Sequence, residues 1–312
     1  MLRSLSILTL AAMAASAQEA TQPQASPAPA PAPTPPAQEE PVLPPRDAAY
    51  KLVWADEFEG EGPVDESKWR AEEGFQRNQE LQWYQKENAF RKDGLLVLEA
   101  RKESVPNLGF RENAGPGDWR HNRKQAEYTS ASLTTAGKVD WKFGRFEIRA
   151  RFTPLPGLWP AIWTTGRGRW PQGGEIDILE YYSGRIYANF CWAGRRGQDL
   201  WNTGSHSIGR FTADPAWKDK FHTWVLEWDE EKMVIWLDGE ILNTQLMKHV
   251  KNQDGPVENP FLAPHAFRLN LAVGGPQGGD PSRTSFPQRY EVDYVRVYQK
   301  EGAVPAGPVT EK

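Results

Sequence analysis

The sequence is poor in several features that whole classes of protein require. A single cysteine, Cys191, among 312 residues excludes an intramolecular disulfide framework and is predicted to be a buried free thiol. Beyond the first residues, no stretch approaches the roughly 20 uninterrupted apolar residues of a membrane-spanning helix. Lysine and arginine are scattered without a basic stripe, and the formal net charge is -4, which argues against nucleic acid as a partner. The sequence also has no Gly-rich phosphate loop, no helix-borne metal motif and no internal repeat.

The two ends of the chain differ in composition from its middle. Residues 1–17 combine a positive start with a short apolar run and small residues at the end, which predicts a secretory signal peptide and an exported protein, extracellular or periplasmic. Residues 18–46 are mostly Ala, Pro, Gln and Glu and predict a disordered linker. Residues 47–300 suit one large domain, and residues 301–312 are predicted to be a flexible tail.

The domain reads as many short strands divided by turn signals, with little helical periodicity. Asp93-Gly94 separates two apolar runs and predicts a hairpin, and Asp238-Gly239 predicts another. Residues 146–152 alternate strictly, which predicts one buried and one polar face. Short strands with evenly spaced turns are typical of an all-β sandwich or jelly roll.

Three carboxylates fall within six residues, at Glu175, Asp177 and Glu180, and are separated by aliphatic side chains. The aliphatic residues favour a buried strand, in which residues two apart share a face. Glu175 and Asp177 then point to the same side, whereas Glu180 points into the core unless a β-bulge shifts the phase by one residue. Paired carboxylates on one face are typical of acid and base catalysis. The alternative is a polar strand face whose acids are paired with arginine or lysine.

Together with the flanking segments 157–163, 221–228, 270–275 and 292–298, the acid strand resembles glycoside hydrolase family 16. The resemblance spans roughly residues 50–299. It implies a concanavalin A-like β-jelly roll with a substrate cleft on the concave sheet, acting on β-linked glucans or galactans. It also implies a retaining mechanism without a catalytic cofactor, in which Glu175 is the nucleophile, Asp177 a helper and Glu180 the general acid/base. Asp177 beside its neighbours raises the cost of charging both, which helps to keep Glu180 protonated.

Several further residues are candidates for sugar binding or for a metal site. All 14 tryptophans lie beyond residue 53, and an indole ring covers the CH face of a sugar well, although many of them will be core. The substrate-binding candidates are Trp159, Trp163, Trp170, Asn78, Glu80, His222 and Asn270. For the polar residues among them, the alternative to sugar binding is a capped surface loop or a core position. The family resemblance also implies a structural calcium ion held by Glu57 and Asp293 with the Gly94 carbonyl, because hard oxygen ligands suit that cation.

The chain departs from laminarin-cleaving members of the family at two places. The short segment 164–174 stands where they carry a long insertion, and segment 187–192 replaces their His-containing segment. Because of these two differences, the resemblance implies specificity for β-1,3-glucan less directly. Segment 111–124 hints at acidic or sulfated galactans, or is a solvated loop. The leading hypothesis is a secreted, monomeric, endo-acting retaining β-glycanase, with β-1,3-glucan as its polysaccharide substrate. The alternatives are a galactan-directed enzyme of agarase, porphyranase or carrageenase type, a transglycosylase, and a non-catalytic glycan-binding module.

Overall fold

The computed structural model describes residues 40–301. The predicted signal peptide, the predicted linker up to residue 39 and the tail from residue 302 lie outside the described residues. Twenty strands follow one another along the described chain: β1 (Tyr50–Asp56), β2 (Gly62–Pro63), β3 (Arg70–Ala71), β4 (Gln82–Tyr84), β5 (Ala89–Lys92), β6 (Leu95–Ala100), β7 (Val105–Pro106), β8 (Gln125–Ala126), β9 (Tyr128–Ser130), β10 (Ser132–Thr134), β11 (Gly144–Phe152), β12 (Leu158–Gly166), β13 (Glu175–Tyr182), β14 (Arg185–Ala193), β15 (Asp199–Ser207), β16 (His222–Trp228), β17 (Lys232–Leu237), β18 (Glu240–Leu246), β19 (His265–Val273) and β20 (Gln288–Lys300).

Helical structure is confined to single turns in the described part of the chain. The short helix α1 (Gly275–Gly278) is accompanied by 3-10 turns at Lys86–Asn88, Arg195–Gly197, Ile208–Arg210, Trp217–Asp219, Met247–His249 and Pro260–Leu262. Between residues 40 and 301, no helix is long and apolar enough to cross a membrane.

The strands form two large antiparallel sheets. The nine-stranded sheet has the order β18-β17-β16-β11-β20-β6-β5-β2, with β1 also pairing with β20, and the seven-stranded sheet has the order β15-β14-β13-β12-β19-β10-β3. Two further pairs, β4 with β9 and β7 with β8, stand apart. The predicted all-β sandwich is confirmed. The predicted hairpins are confirmed too: β5 pairs with β6 and β17 with β18, and positive φ angles at Asp93-Gly94 and Asp238-Gly239 suit tight two-residue turns.

One hydrophobic core lies between the two large sheets. Phe146 on β11 stacks on Phe267 of β19 with ring centroids 6.4 Å apart and 4° between the planes, so it joins the two sheets directly. Ile162 and Ile176 add fully buried aliphatic side chains from the seven-stranded sheet. Burying each such side chain stabilises the fold by roughly 1.5–3 kcal/mol, which is why the alternating apolar residues of these strands face inward.

The polar face of β11 differs from the sequence-based expectation, because it is also buried. Arg145 is fully buried and donates to Glu147 over 2.6 Å and to Glu227 over 2.5 Å. Its remaining N–H groups reach the Pro44 and Pro45 carbonyls, at 2.9 and 3.3 Å. Because β11 lies in the middle of its sheet, neighbouring side chains enclose this row, and buried charges require such partners. The last residues of the predicted linker are therefore packed against the domain.

Candidate active site

The three carboxylates lie on β13 in the middle of the seven-stranded sheet. Asp177 pairs with Asn189 of β14 and Glu180 pairs with Tyr187, so three steps along β13 match two along β14. The ladder with β12 shifts at the same place, between residues 162 and 163. This is the predicted β-bulge, which is confirmed. It brings Glu180 back to the face of Glu175 and Asp177, while Ile178, next to Asp177, stays fully buried.

Hydrogen bonds join the carboxyl groups into one cluster. Asp177 is hydrogen bonded to both Glu175 and Glu180. A bond between two carboxyl groups needs a proton on one of them, because ionised carboxylates only accept. The Asn189 amide donates to Asp177 Oδ2 and to Glu180 Oε2, each over 3.1 Å, and the Trp159 indole donates to Glu180 Oε1 over 2.9 Å. The three carboxyl groups therefore share protons with one another, and the Asn189 amide and the Trp159 indole donate to them from outside the cluster.

Burial sets the protonation of this cluster. It raises the pKa of Glu175 to about 7 and that of Glu180 to about 8, and the Glu175 charge adds to the rise at Glu180. Burial and both neighbouring glutamates also raise the pKa of Asp177 well above its ordinary value. Hydrogen bonds from Asp177 and Trp170 oppose the shift at Glu175. Burial and the Glu175 charge thus both favour the protonated form of Glu180, the direction that an acid catalyst requires.

Two arginines next to Trp163 bring positive charge close to Glu175. The guanidinium groups of Arg77 and Arg268 lie 5.1 and 4.9 Å from the Trp163 ring centroid, and both lower the pKa of Glu175. Arg77 is itself paired with Glu72 over 2.5 Å. The positive charges thus favour the ionised form of Glu175, in the direction that a nucleophile needs.

The cleft over this face brings together most of the sequence-predicted binding residues. Its lining includes Trp159, Trp163, Trp170, Asn78, Glu80 and Asn270. Trp170 is half-exposed and is hydrogen bonded to Glu175. The Trp163 indole donates to Asn270 Oδ1 over 2.7 Å, and Asn78 donates to the buried Glu80 over 3.3 Å. These contacts hold the side chains at the cleft wall, and their role in binding sugar stays a prediction.

The prediction for His222 is wrong. The residue is buried on β16 in the other sheet and is not part of the cleft lining. Its Nδ1 lies 2.6 Å from Asp238 Oδ2, and its Nε2 donates to the Trp217 carbonyl over 2.9 Å. Both ring nitrogens are therefore used to hold a loop and the β17–β18 turn in place, and neither is available to a substrate.

The residues of the predicted calcium site do not present a free set of oxygen ligands. Arg296 holds Glu57 through two hydrogen bonds of 2.8 Å, and Arg149 holds Asp293 over 2.5 Å. The Gly94 carbonyl alone cannot bind the cation. Among residues 40–301 there is also no group of three or more acidic, His or Cys side chains arranged to hold a metal ion. Calcium binding stays a prediction, and it is one that these two paired carboxylates suit poorly. A melting temperature that does not change when a chelator is added would contradict it.

The cleft also contains residues that sequence reasoning did not assign to it. Asn189 was noted only as part of a replaced segment, and Trp201 was not singled out. Trp119 and Arg120 line the cleft, and Arg120 lies 4.4 Å from the Trp119 ring centroid and bonds to the Gln76 carbonyl. Segment 111–124 therefore borders the cleft, and its role toward acidic or sulfated galactans stays a prediction. A signal for Asn189 was present in the Ser183-Gly184 turn, which joins β13 to β14, but the bulge shifts the register by one residue before Asn189 lies opposite Asp177.

Comparison with known proteins identifies the family. The sequence profile of glycosyl hydrolases family 16 matches residues 75–296, more than half of the chain. The chain belongs to glycosyl hydrolase family 16. As a family 16 member it is a glycoside hydrolase, and the jelly roll expected from the sequence is the fold of its relatives. It is 35% identical over 276 residues to a beta-glucanase from Rhodothermus marinus, covering 80% of this chain and 85% of that protein.

Two further similarities frame the substrate question for this family 16 enzyme. A glucan endo-1,3-beta-glucosidase from Cryptopygus antarcticus is 33% identical over 268 residues, covering 80% of this chain and 92% of that protein. A solved structure from work on endo-acting O-glycanases of human gut microbiota, which initiate mucin breakdown, is 34% identical with a TM-score of 0.73. That similarity covers 84% of this chain and 94% of the other.

Proposed function

We propose that this family 16 member is an exported, endo-acting β-1,3-glucanase that retains the anomeric configuration of its substrate. The observation that carries the proposal is the bulged strand β13, on which Glu175, Asp177 and Glu180 share one face and one set of hydrogen bonds. The beta-glucanase and endo-1,3-beta-glucosidase relatives support a β-glucan as substrate. Export rests on the pattern of residues 1–17 alone, and a monomer remains part of the proposal.

The proposed reaction has two displacements at one carbon. First, Glu175 attacks the anomeric carbon while Glu180 gives its proton to the glycosidic oxygen, so the bond to the leaving sugar breaks and a glycosyl ester forms. Then Glu180, now ionised, takes a proton from water, whose oxygen displaces Glu175 from the same carbon. Retaining enzymes keep these two carboxyls about 5–5.5 Å apart. A single bridging side chain, Asp177, supports such a short separation.

The size of the cleft supports attack inside a polymer. It encloses about 1400 Å³ and extends from Asp199 on the edge strand β15 to Trp119 on the far side. A pocket for a single small molecule is typically about 300–1,000 Å³. A glycan lying across the strands can thus contact the protein on both sides of the bond that is cleaved.

A galactose-containing glycan is the second candidate substrate. The similarity to the structure from work on mucin O-glycanases favours a substrate other than β-1,3-glucan, as does the short segment 164–174 beside the catalytic strand. Arg120 in the cleft lining supports the same reading, because a guanidinium group can pair with an acidic or sulfated sugar. Both candidates use the same three carboxylates, so they differ in substrate and not in mechanism.

A substrate panel with stereochemical analysis tests the proposal. The purified chain is incubated with laminarin, mixed-linkage glucan, agarose, carrageenan, porphyran and mucin O-glycans, with Glu175→Gln as the inactive control. Internal cleavage of laminarin, with the β-anomer appearing first by proton NMR, is the expected result. Cleavage of galactose-containing glycans alone would favour the second candidate. An α-anomer formed first, or activity retained in the Glu175→Gln variant, would overturn the mechanism.

A further inference from the structure

Strand β15 at the edge of the seven-stranded sheet has two different faces. Asn202 donates to the Thr244 carbonyl and His206 bonds to the Leu242 carbonyl, so these side chains point toward β18 of the other sheet. The alternate residues point the other way and line the cleft: Asp199, Trp201 and Thr203. The period-two alternation of a strand thus assigns Trp201 to the cleft face.

Trp201 is exposed in a way that core packing does not explain. Its side chain is 41% exposed, although it is one of the largest apolar side chains. Trp159 and Trp163, which the sequence favoured as sugar platforms, are engaged otherwise: Trp159 is buried and bonded to Glu180, and Trp163 lies beside two guanidinium groups. Trp201 therefore offers an indole face to a ligand in the cleft.

The register of the sheet fixes the position of Trp201 relative to the bond that is cleaved. Glu175 lies opposite Cys191 of β14, and Cys191 lies opposite Trp201 of β15. The three residues form one row across the strands, and two strand spacings separate Glu175 from Trp201 by roughly 10 Å. This is about the length of two pyranose units in an extended glycan.

Asp199 restrains the indole ring. The Trp201 Nε1 donates to Asp199 Oδ2 over 2.5 Å, and Asp199 lines the cleft as well. A hydrogen bond to a carboxylate fixes the ring before a ligand arrives, so less side-chain conformational entropy is lost when the ligand binds. The carboxylate also leaves an oxygen as an acceptor for a sugar hydroxyl.

We propose that Trp201 is a stacking platform for a pyranose ring at the second sugar residue from the cleaved bond, with Asp199 as its positioning partner. The inference rests on the proposed function, because it assumes that a glycan lies across the strands of this cleft and is cleaved at Glu175. The ligand class is a β-linked pyranose with an apolar CH face, which both glucose and galactose present. The flat indole ring packs against this CH face and removes it from water, as aromatic side chains do with other apolar surfaces.

Binding in a catalytically silent background tests the platform. Glu175→Gln and Glu175→Gln/Trp201→Ala are titrated by calorimetry with oligosaccharides of increasing length, prepared from whichever glycan the wild type cleaves. The step in affinity gained when the chain becomes long enough to reach Trp201 is expected to fall by about tenfold in the double variant. Trp201→Phe keeps a ring and is expected to keep most of the step, and Leu52→Ala, exposed on β1 outside the cleft, leaves it unchanged.

Two results would overturn the inference in different ways. If the wild type cleaves a glycan but Glu175→Gln/Trp201→Ala binds every chain length as Glu175→Gln does, Trp201 is not a platform and the proposed function stands. A uniform loss at all lengths would also reject the assigned position. If neither laminarin nor any other glycan of the panel binds to or is cleaved by the wild type, the proposed function fails and the platform fails with it.

Discussion

The indole N–H of Trp159 donates to the carboxyl group of Glu180 over 2.9 Å. A donor of this kind favours the ionised carboxylate, so it holds the pKa of Glu180 below the value that burial alone would produce. The structure thus contains a specific restraint on the residue proposed as the acid.

The Trp159→Phe variant tests this restraint through the pH profile. Loss of the donor raises the pKa of Glu180 further, and activity that needs a protonated Glu180 then persists to higher pH. We expect the alkaline limb of kcat/KM to move up by about one pH unit, equivalent to ~1.4 kcal/mol. Trp163→Phe, which loses its bond to Asn270 instead, is the matched control. An alkaline limb that stays in place would contradict the assignment of Glu180.

Stability is expected to fall as pH rises through the range in which these acids titrate. Burial raises the pKa of Glu175 from 4.5 to about 7. Between those values the folded state binds more protons than the unfolded state, so the free energy of unfolding decreases with rising pH. Glu175→Gln mimics the protonated form at every pH and removes part of this dependence.

Thermal melts at two pH values measure the effect. At pH 5 the Glu175→Gln variant is expected to melt close to the wild type. At pH 8 it is expected to melt at least about 3 °C higher, the shift that roughly 1 kcal/mol produces in a domain of this size. A variant less stable than the wild type at pH 8 would show that the buried carboxylate is not a source of instability.

His222 is expected to matter for stability and not for turnover. Its two ring nitrogens bond to Asp238 and to the Trp217 carbonyl, and a His222→Ala variant leaves the carbonyl of buried Trp217 without its donor and removes one partner from the half-buried Asp238. Such a loss costs roughly 1–3 kcal/mol. Denaturant unfolding should report it, while kcat and KM of the folded protein stay unchanged. His249→Ala, at an exposed position, is the control; a raised KM for the His222 variant would instead restore a role in binding.

The start of the domain can be tested by truncation. A chain beginning at residue 40 keeps the Pro44 and Pro45 carbonyls that accept from buried Arg145, whereas a chain beginning at residue 46 loses them and keeps Arg46, which contacts Glu147 and Tyr298. We expect the shorter chain to be less stable by roughly 1–3 kcal/mol in urea unfolding, because Arg145 is left with unsatisfied donors. Equal stability of the two chains would mean that water replaces these carbonyls without cost.

The sequence predicted local features well and non-local ones poorly. The parity of Glu175, Asp177 and Glu180 along one strand was enough to require the bulge, because side-chain direction in a strand follows from counting residues. His222 was misassigned because its neighbours in sequence cannot tell which of two sheets a strand joins. Trp201 was missed because its position depends on the register of two successive strand pairs, β13 with β14 and β14 with β15, and the bulge shifts the first of these by one residue. The buried polar row around Arg145 likewise depends on which strands flank β11.

The bulge in β13 also determines which changes of chain length this site could survive. Removing Ile178 would leave a regular ladder in which the two glutamates stand four residues apart and still face the same side. Adding one residue there would instead turn Glu180 toward the core if the bulge stays, or move it two positions along β14 and away from Asn189 if the ladder becomes regular. A gap within this strand in a distant relative is therefore compatible with an intact pair of acids, whereas an insertion is not. At this strand, the number of residues carries as much of the catalytic information as their identity.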